Sequence, residues 1–334
     1  RAANELARDA DVVVNVGTRL TDFTTGSHSL FQHPDVRFVN VNVAPVDAEK
    51  QAGPSVIADA RAALTALREA LEGWSVEPAY RERAGELARE WDGIVDRAYH
   101  LGHTPLPAQS EVIGAVNELS GPRDVVVCAA GSLPGDLHKL WRSRDPKSYH
   151  VEYGYSCMGY EIAGGLGIGL ADPGRAVTVM VGDASYLMMA QEIVTAVQEG
   201  VKMAVVVIDN HGYASIGSLS QSVGSGGFSC ATRRRGPDGQ LSGEVLAIDF
   251  AANARSLGAH AVRAGSRAEL AAALAEARAQ GGVSVVVVET DPSVRVGGYD
   301  SWWDVPVAEV SSMDGVAAAR EAWAAAVRKE RHHL

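Results

Sequence analysis

The sequence predicts an α/β protein with a doubly wound parallel sheet. Three observations lead there. Val-rich apolar runs of strand length alternate with helical stretches along most of the chain. Those runs are continuous rather than alternating, as expected of strands covered on both faces. Many of the 35 glycines fall at the ends of the runs, where backbone must turn or approach a ligand closely.

The elements follow in order. Residues 1–73 read as an alanine-rich helix, strands at Asp11–Gly17 (DVVVNVG) and Val36–Val43 (VRFVNVNV), a short strand at Ser55–Asp59 and a helix at Arg61–Glu72. Three strands and two helices are too few to cover both faces of such a sheet, so this segment is expected to be the C-terminal half of a Rossmann-like domain. Residues 74–103 form a helical linker, with the Glu/Arg-rich helix Pro78–Arg97 as connector. A second domain, 104–293, carries strands at Asp124–Ala129, Ala176–Asp183, Met203–Asn210, His260–Arg263 and Val283–Thr290. Helices are expected between them at Gly159–Leu170, Tyr186–Glu199, Asp249–Leu257 and Arg267–Ala279. Residues 294–334 form an arm with the aromatic cluster Tyr299, Trp302 and Trp303, then a terminal helix.

Composition narrows the class. With 334 residues the chain is long enough for about two domains. Thirty Lys and Arg against 41 Asp and Glu leave a net charge of −11, which repels a polyphosphate backbone and argues against nucleic acid as partner. No apolar run approaches the length of a membrane span and no signal peptide opens the chain, so a cytoplasmic location is expected. Cys128, Cys157 and Cys230 lack metal-ligand spacing and read as reduced thiols.

The sharpest chemical signal is Gly182-Asp183-Ala184-Ser185 at the end of one strand and Asp209-Asn210 at the end of the next. One crossover helix fits between them, so Asp183 and Asn210 belong at neighbouring carboxyl ends, the edge at which open α/β sheets bind ligands. A carboxylate and an amide oxygen suit Mg²⁺, which shares its oxygen shell with phosphates. The helix opening at Ala184 and Ser185 offers unpaired N–H groups to an anion, and the small residue at 184 lets phosphate approach. Singly, these residues are a strand-end turn and a loop cap; at this spacing they describe a metal-bridged diphosphate site.

These residues resemble the motif of thiamine diphosphate enzymes, which usually reads Gly-Asp-Gly and ends in Asn-Asn; Ala184 and Asp209 depart from it. The resemblance implies thiamine diphosphate and Mg²⁺ as cofactors, with Asp183, Asn210 and the carbonyl of Gly212 as metal ligands. It places Met158, in Ser156-Cys157-Met158-Gly159, as the wedge that bends the cofactor, and the backbone of Ser156 and Met158 against the aminopyrimidine. Gly131, Ser132 and Leu133 would touch the diphosphate from the other side, with Gly182, Ala184, Ser185 and Tyr213 completing the cofactor contacts. The stretches Asp22–Ser27, Ala130–His138, Glu152–Glu161 and Tyr299–Pro306 resemble the trihydroxycyclohexane-1,2-dione hydrolases of myo-inositol catabolism.

The family builds its site between two domains from different subunits, and the second carries the glutamate that activates the cofactor. No segment here supplies that domain, so the resemblance implies an N-terminal partner segment with the pyrimidine-binding domain, in a homodimer or homotetramer acting on a small cyclic dione. Two other readings stand beside it: an acetolactate synthase-like carboligase acting on 2-oxo acids, and a cofactor-binding fragment inactive without its partner. Arg233–Arg235 read as a solvated loop or an anion contact, His211 as a proton carrier or a packed side chain, and Trp302 and Trp303 as an anchor for the arm. Gly17-Thr18-Arg19 lacks a Gly-x-Gly-x-x-Gly fingerprint, which argues against independent NAD binding.

Overall fold

The computed structural model describes residues 1–299 and 302–333; Asp300 and Ser301, inside the last stretch quoted above, lie outside them. The chain forms two compact units, Arg1–Ile94 with Gly297–Leu334, and Val95–Val296. The arm beyond Gly297 thus belongs to the first unit, and the helix Pro78–Tyr99 runs across the boundary between the units.

In the first unit, β1 (Val12–Val16), β2 (Arg37–Asn42) and β3 (Ser55–Ile57) form a parallel sheet in that order. Leu30, Phe31 and Phe38 make a small core beside it. Buried amides tie its strands: Asn15 donates to Asn40 Oδ1 at 2.9 Å, and Asn40 donates to the Gln51 carbonyl. As too few elements to cover both faces would leave it, this sheet is partly open: Val12 and Val14 are 43% and 46% exposed, and all of β3 is exposed. The arm is anchored as its aromatic residues suggested: Trp303 packs against Phe23 with centroids 4.9 Å apart and rings tilted by 36°, and the Asp304 N–H donates to Ser27 Oγ.

In the second unit six strands, β4 (Val125–Cys128), β5 (Tyr149–Val151), β6 (Val177–Gly182), β7 (Met203–Asp209), β8 (His260–Ala264) and β9 (Val283–Glu289), form one parallel sheet in the order β5-β4-β6-β7-β9-β8. Here the Val-rich strands are buried on both faces, and Val127, Val179, Val205 and Val285 pack against Tyr186, Ile193 and Phe250. Strand β5 is an addition to the five expected, since a three-residue edge strand leaves almost no apolar pattern.

The expected helix Tyr186–Glu199 is two helices, Asp183–Met189 and Glu192–Gln198. Between them the Ile193 and Val194 N–H groups bond to Ala190 and Gln191, three residues back, which tightens the chain and breaks the α-helical ladder. The helix Ser132–Leu140 was not expected either. It carries Pro134 and Gly135, tolerated because the proline sits in the first turn.

The helix Tyr160–Ala171 lies close on the sheet through glycine. A Cβ on Gly165 would meet Val179 Cγ2 at 2.4 Å, whereas one on Gly167 would meet nothing within 4 Å. Gly165→Ala should therefore destabilise the fold by about 1–3 kcal/mol through overpacking. Gly167→Ala should stabilise it by about 0.5–1 kcal/mol, because alanine is the better helix former. Paired urea titrations test this, and equal midpoints would contradict it.

Candidate cofactor site

The sheet order reverses between β4 and β6, because the chain leaves β4 for β5 on one side and returns to β6 on the other. Such a switch point opens a crevice at the carboxyl ends of the strands. A cleft of about 190 Å³ lies there. Gly131, Ser132 and Leu133 line it from the turn after β4, Gly182, Ala184 and Ser185 from the turn after β6, and Asn210, Gly212 and Tyr213 from the turn after β7. Ser156 and Met158 reach it from the loop after β5. Asp183 sits just beneath, 3% exposed. The residues selected from the sequence are thus gathered at one place. Ala130, Ala214, Ser215 and Ile216 also line the cleft and had not been selected.

Local backbone explains the turns. Gly131, at φ 122°, precedes the helix Ser132–Leu140 in a conformation open to glycine. After β7, His211 takes φ 63° and Gly212 φ 140°. Loop 230–232 backs this turn, with the Tyr213 N–H donating to the Cys230 carbonyl and the Thr232 N–H to the His211 carbonyl, each at 2.8 Å. His211 is braced from both sides: Nε2 lies 2.9 Å from Glu289 Oε1 and Nδ1 3.2 Å from Asp209 Oδ1. In the loop after β5, the Glu152 carboxylate accepts the N–H groups of Cys157 at 2.7 Å and Tyr155 at 3.0 Å. These bonds hold Glu152 below the usual carboxylate range and hold Ser156 at φ 55°.

The electrostatics of the turn favour a cation. Burial, and then the neighbouring Asp209 carboxylate, push Asp183 up to about 7, against N–H groups of Ala184 and Gly212 that lower it. The Asn210 side-chain amide lies against two acceptors, 3.1 Å from the Gly212 carbonyl oxygen and 3.3 Å from Asp183 Oδ1. With its nitrogen there it donates to both, and with its oxygen there it completes a set of three oxygens that would suit a hard cation. Neighbouring oxygens around an octahedral Mg²⁺, each about 2.1 Å from the metal, lie about 3.0 Å apart. The observed spacings fit that edge, and a carboxylate, an amide and a carbonyl are the donor chemistry it needs.

The tempting residues outside this set separate. Arg233 and Arg235 bond to carbonyls of their own loop, those of Gly243 and Gly239, and line no part of the cleft. Trp302 and Trp303 belong to the first unit. Two residues that the sequence did not single out stand close to the cleft. Glu152 caps the loop carrying Ser156, and its signal was only a carboxylate three and five residues before the N–H groups it accepts. Glu161, 1% exposed, bonds to Ser185 and Gly159, and nothing in its helical neighbourhood announced a buried acid.

The comparisons with known proteins agree with this geometry. Residues 129–288 match the thiamine pyrophosphate enzyme C-terminal TPP binding domain, and residues 1–67 match the thiamine pyrophosphate enzyme central domain. The chain is 39% identical, over 99% of its length, to a 3D-(3,5/4)-trihydroxycyclohexane-1,2-dione hydrolase 2 of Bacillus cereus, of which it covers 55%. It is 40% identical, over 96% of its length, to the 3D-(3,5/4)-trihydroxycyclohexane-1,2-dione hydrolases of a second Bacillus cereus strain and of Bacillus anthracis, covering 54% of each. The chain therefore spans about half the length of the curated relatives it matches. Among the described residues no helix is long and apolar enough to cross a membrane. With both domain matches lying over the two sheets described above, the chain belongs to the thiamine pyrophosphate enzyme family and carries its central and C-terminal cofactor-binding domains.

Proposed function

We propose that the cleft binds thiamine diphosphate with Mg²⁺, and that the assembled enzyme hydrolyses a C–C bond of 3D-(3,5/4)-trihydroxycyclohexane-1,2-dione to give 5-deoxy-D-glucuronate in myo-inositol catabolism. The observation that carries the cofactor reading is the convergence of Asp183 Oδ1, the Asn210 amide oxygen and the Gly212 carbonyl at the mouth of β6 and β7. The substrate reading is supported by the names of the relatives.

Asp183, Asn210 and Gly212 would hold the cation, whose charge would offset the diphosphate beside a buried carboxylate. Ala184, whose N–H lies on Asp183, would leave room for the diphosphate, Ser185 would offer it the N–H near the start of its helix, and Gly131, Ser132 and Leu133 would close the opposite wall. Ser156 and Met158 would orient the pyrimidine end, the unbranched, polarizable Met158 side chain acting as the wedge. When bound, thiamine diphosphate supplies a carbon nucleophile and an electron sink for cleavage beside a carbonyl. The protein's contribution is positioning.

The remaining portion, the pyrimidine-binding domain with its activating glutamate, is proposed to come from an N-terminal segment within a homodimer or homotetramer located in the cytoplasm. The open face of β1 and β3, with Val12, Val14 and Val56 exposed on the same side, is an apolar surface such a segment would cover.

The assembled enzyme should consume the dione and leave pyruvate untouched. Acetolactate from pyruvate, with the dione unchanged, would transfer the chain to the carboligase reading; activity of this chain without any N-terminal portion would overturn the shared site. Met158→Ala should lower turnover about 10–100-fold while leaving the Mg²⁺ dependence of cofactor binding as it was. A parallel loss of metal dependence would remove Met158 from the positioning role.

A further inference from the structure

Behind the cleft lies a buried acid for which the cofactor contacts above have no use. Glu161 stands in the first turn of the helix Tyr160–Ala171 and is 1% exposed. Its two carboxyl oxygens lie 2.8 and 2.9 Å from Ser185 Oγ, and Oε2 also accepts the Gly159 N–H at 2.9 Å. Ser185 Oγ itself accepts the Gly159 N–H at 2.8 Å. Ser185 lines the cleft two residues after Asp183.

A serine hydroxyl has one proton and two lone pairs. With Glu161 ionised, that proton is held by the carboxylate and Ser185 offers no donor to the cleft. With Glu161 protonated, the carboxyl O–H donates to Ser185 Oγ, whose second lone pair keeps the Gly159 N–H, and the serine proton is released toward the cleft. An anion there needs donors, so its arrival and a proton on Glu161 favour one another.

We infer that Glu161 and Ser185 form a proton-coupled switch: when a diphosphate enters the cleft, Glu161 takes one proton from solvent, donates it as a hydrogen bond to Ser185, and the Ser185 hydroxyl turns to the anion. No covalent bond other than the new O–H of Glu161 is made, and none in the protein is broken. This inference rests on the reading of the cleft as a diphosphate site.

The surroundings permit it. The titratable groups on this helix and on the elements packed against it are Tyr160, His150 of β5, which lies 2.7 Å from the Tyr160 hydroxyl, Cys128 of β4, Asp209 of β7, Asp183 and Tyr186 of the helix Asp183–Met189, and Glu192 of the helix Glu192–Gln198. His150 bonds to Tyr160, and among the described residues the Glu161 carboxylate bonds to Ser185 and Gly159 and forms no ion pair. Burial pushes the Glu161 carboxyl above its ordinary range, and burial first, then the Glu161 charge, raise the Cys128 thiol.

The test is calorimetry of Mg²⁺–thiamine diphosphate binding to the assembled enzyme, in two buffers of different ionisation enthalpy. The wild type should take up about one proton more per site than Glu161→Gln, and its affinity should weaken with rising pH, up to about tenfold per pH unit. In Glu161→Gln the amide donates to Ser185 permanently, so binding at alkaline pH should be as tight as in the wild type or tighter; a purely structural role would weaken it. Ser185→Ala, which keeps Glu161 but removes the hydroxyl, should also lose the extra proton. The wild type alone should show an infrared band of a protonated carboxyl that grows on binding. Binding with equal proton counts in wild type and both variants overturns the switch and spares the cofactor site. No binding in any of them overturns both.

Discussion

Asp183→Ala should abolish metal-dependent binding of thiamine diphosphate, with cofactor affinity falling about 100–5,000-fold. Asp183 is the only carboxylate among the three oxygens that converge at the end of β6 and β7, so the variant leaves the cation with an amide and a carbonyl. Removing one partner of a buried charge pair costs about 3–5 kcal/mol, which corresponds to that range of affinity. The fold should survive. Burial and the neighbouring Asp209 carboxylate make the Asp183 charge costly, and alanine relieves that cost. Calorimetric titration with and without Mg²⁺, beside a urea titration of the same preparation, separates the two effects. Unchanged metal dependence would remove Asp183 from the site, and a collapse in stability would make its role structural.

Gly212→Ala should damage the same site through the backbone. Gly212 adopts φ 140°, and a Cβ there would stand 2.5 Å from the Cys230 carbonyl oxygen and 2.9 Å from Ala231 Cα. Both obstacles are backbone of the loop that pairs with residues 211–213, so neither can swing aside as a side chain would. The strained conformation alone costs about 1–3 kcal/mol. The turn must shift, carrying the Gly212 carbonyl and the Asn210 amide away from Asp183. Metal affinity should fall at least about tenfold, while the core around Val179 and Val205, remote from the turn, keeps its packing. Cofactor titrations at graded Mg²⁺ concentrations test this. Wild-type metal affinity in the variant would mean that the turn tolerates a side chain and that the carbonyl does not need its present position.

The strands of the second unit were legible because burial on both faces forces a nearly continuous apolar run, which β4, β6, β7 and β9 show, interrupted inside the run by Thr178 in β6 and Ser284 in β9. The Gly-Asp and Asp-Asn ends of β6 and β7 were legible for a related reason: one crossover helix between parallel strands puts their carboxyl ends side by side. Strand β5 escaped, since Tyr149–Val151 at the sheet edge pairs with β4 on one side only and needs no apolar pattern to do so. The break at Ala190 escaped because alanine, glutamine and glutamate are all good helix formers, and only packing decides where such a helix stops. In the first unit β1 has the same Val-rich run, yet Val12 and Val14 face outward, because the elements there are too few to cover both faces of the sheet.

By itself, the sequence determined the α/β class, the second sheet's main strands and the residues at their ends, all of which follow from local pattern and short-range chain geometry. Only the tertiary structure decided which distant groups meet. Glu289 reaches His211 because β9 lies beside β7, Ser185 lies against Glu161 because two helices pack together, and Trp303 packs against Phe23 from far along the chain. Such contacts depend on the order of strands and the close approach of helices. They are fixed by burial of the whole layer, and no window of sequence carries the energy that selects them.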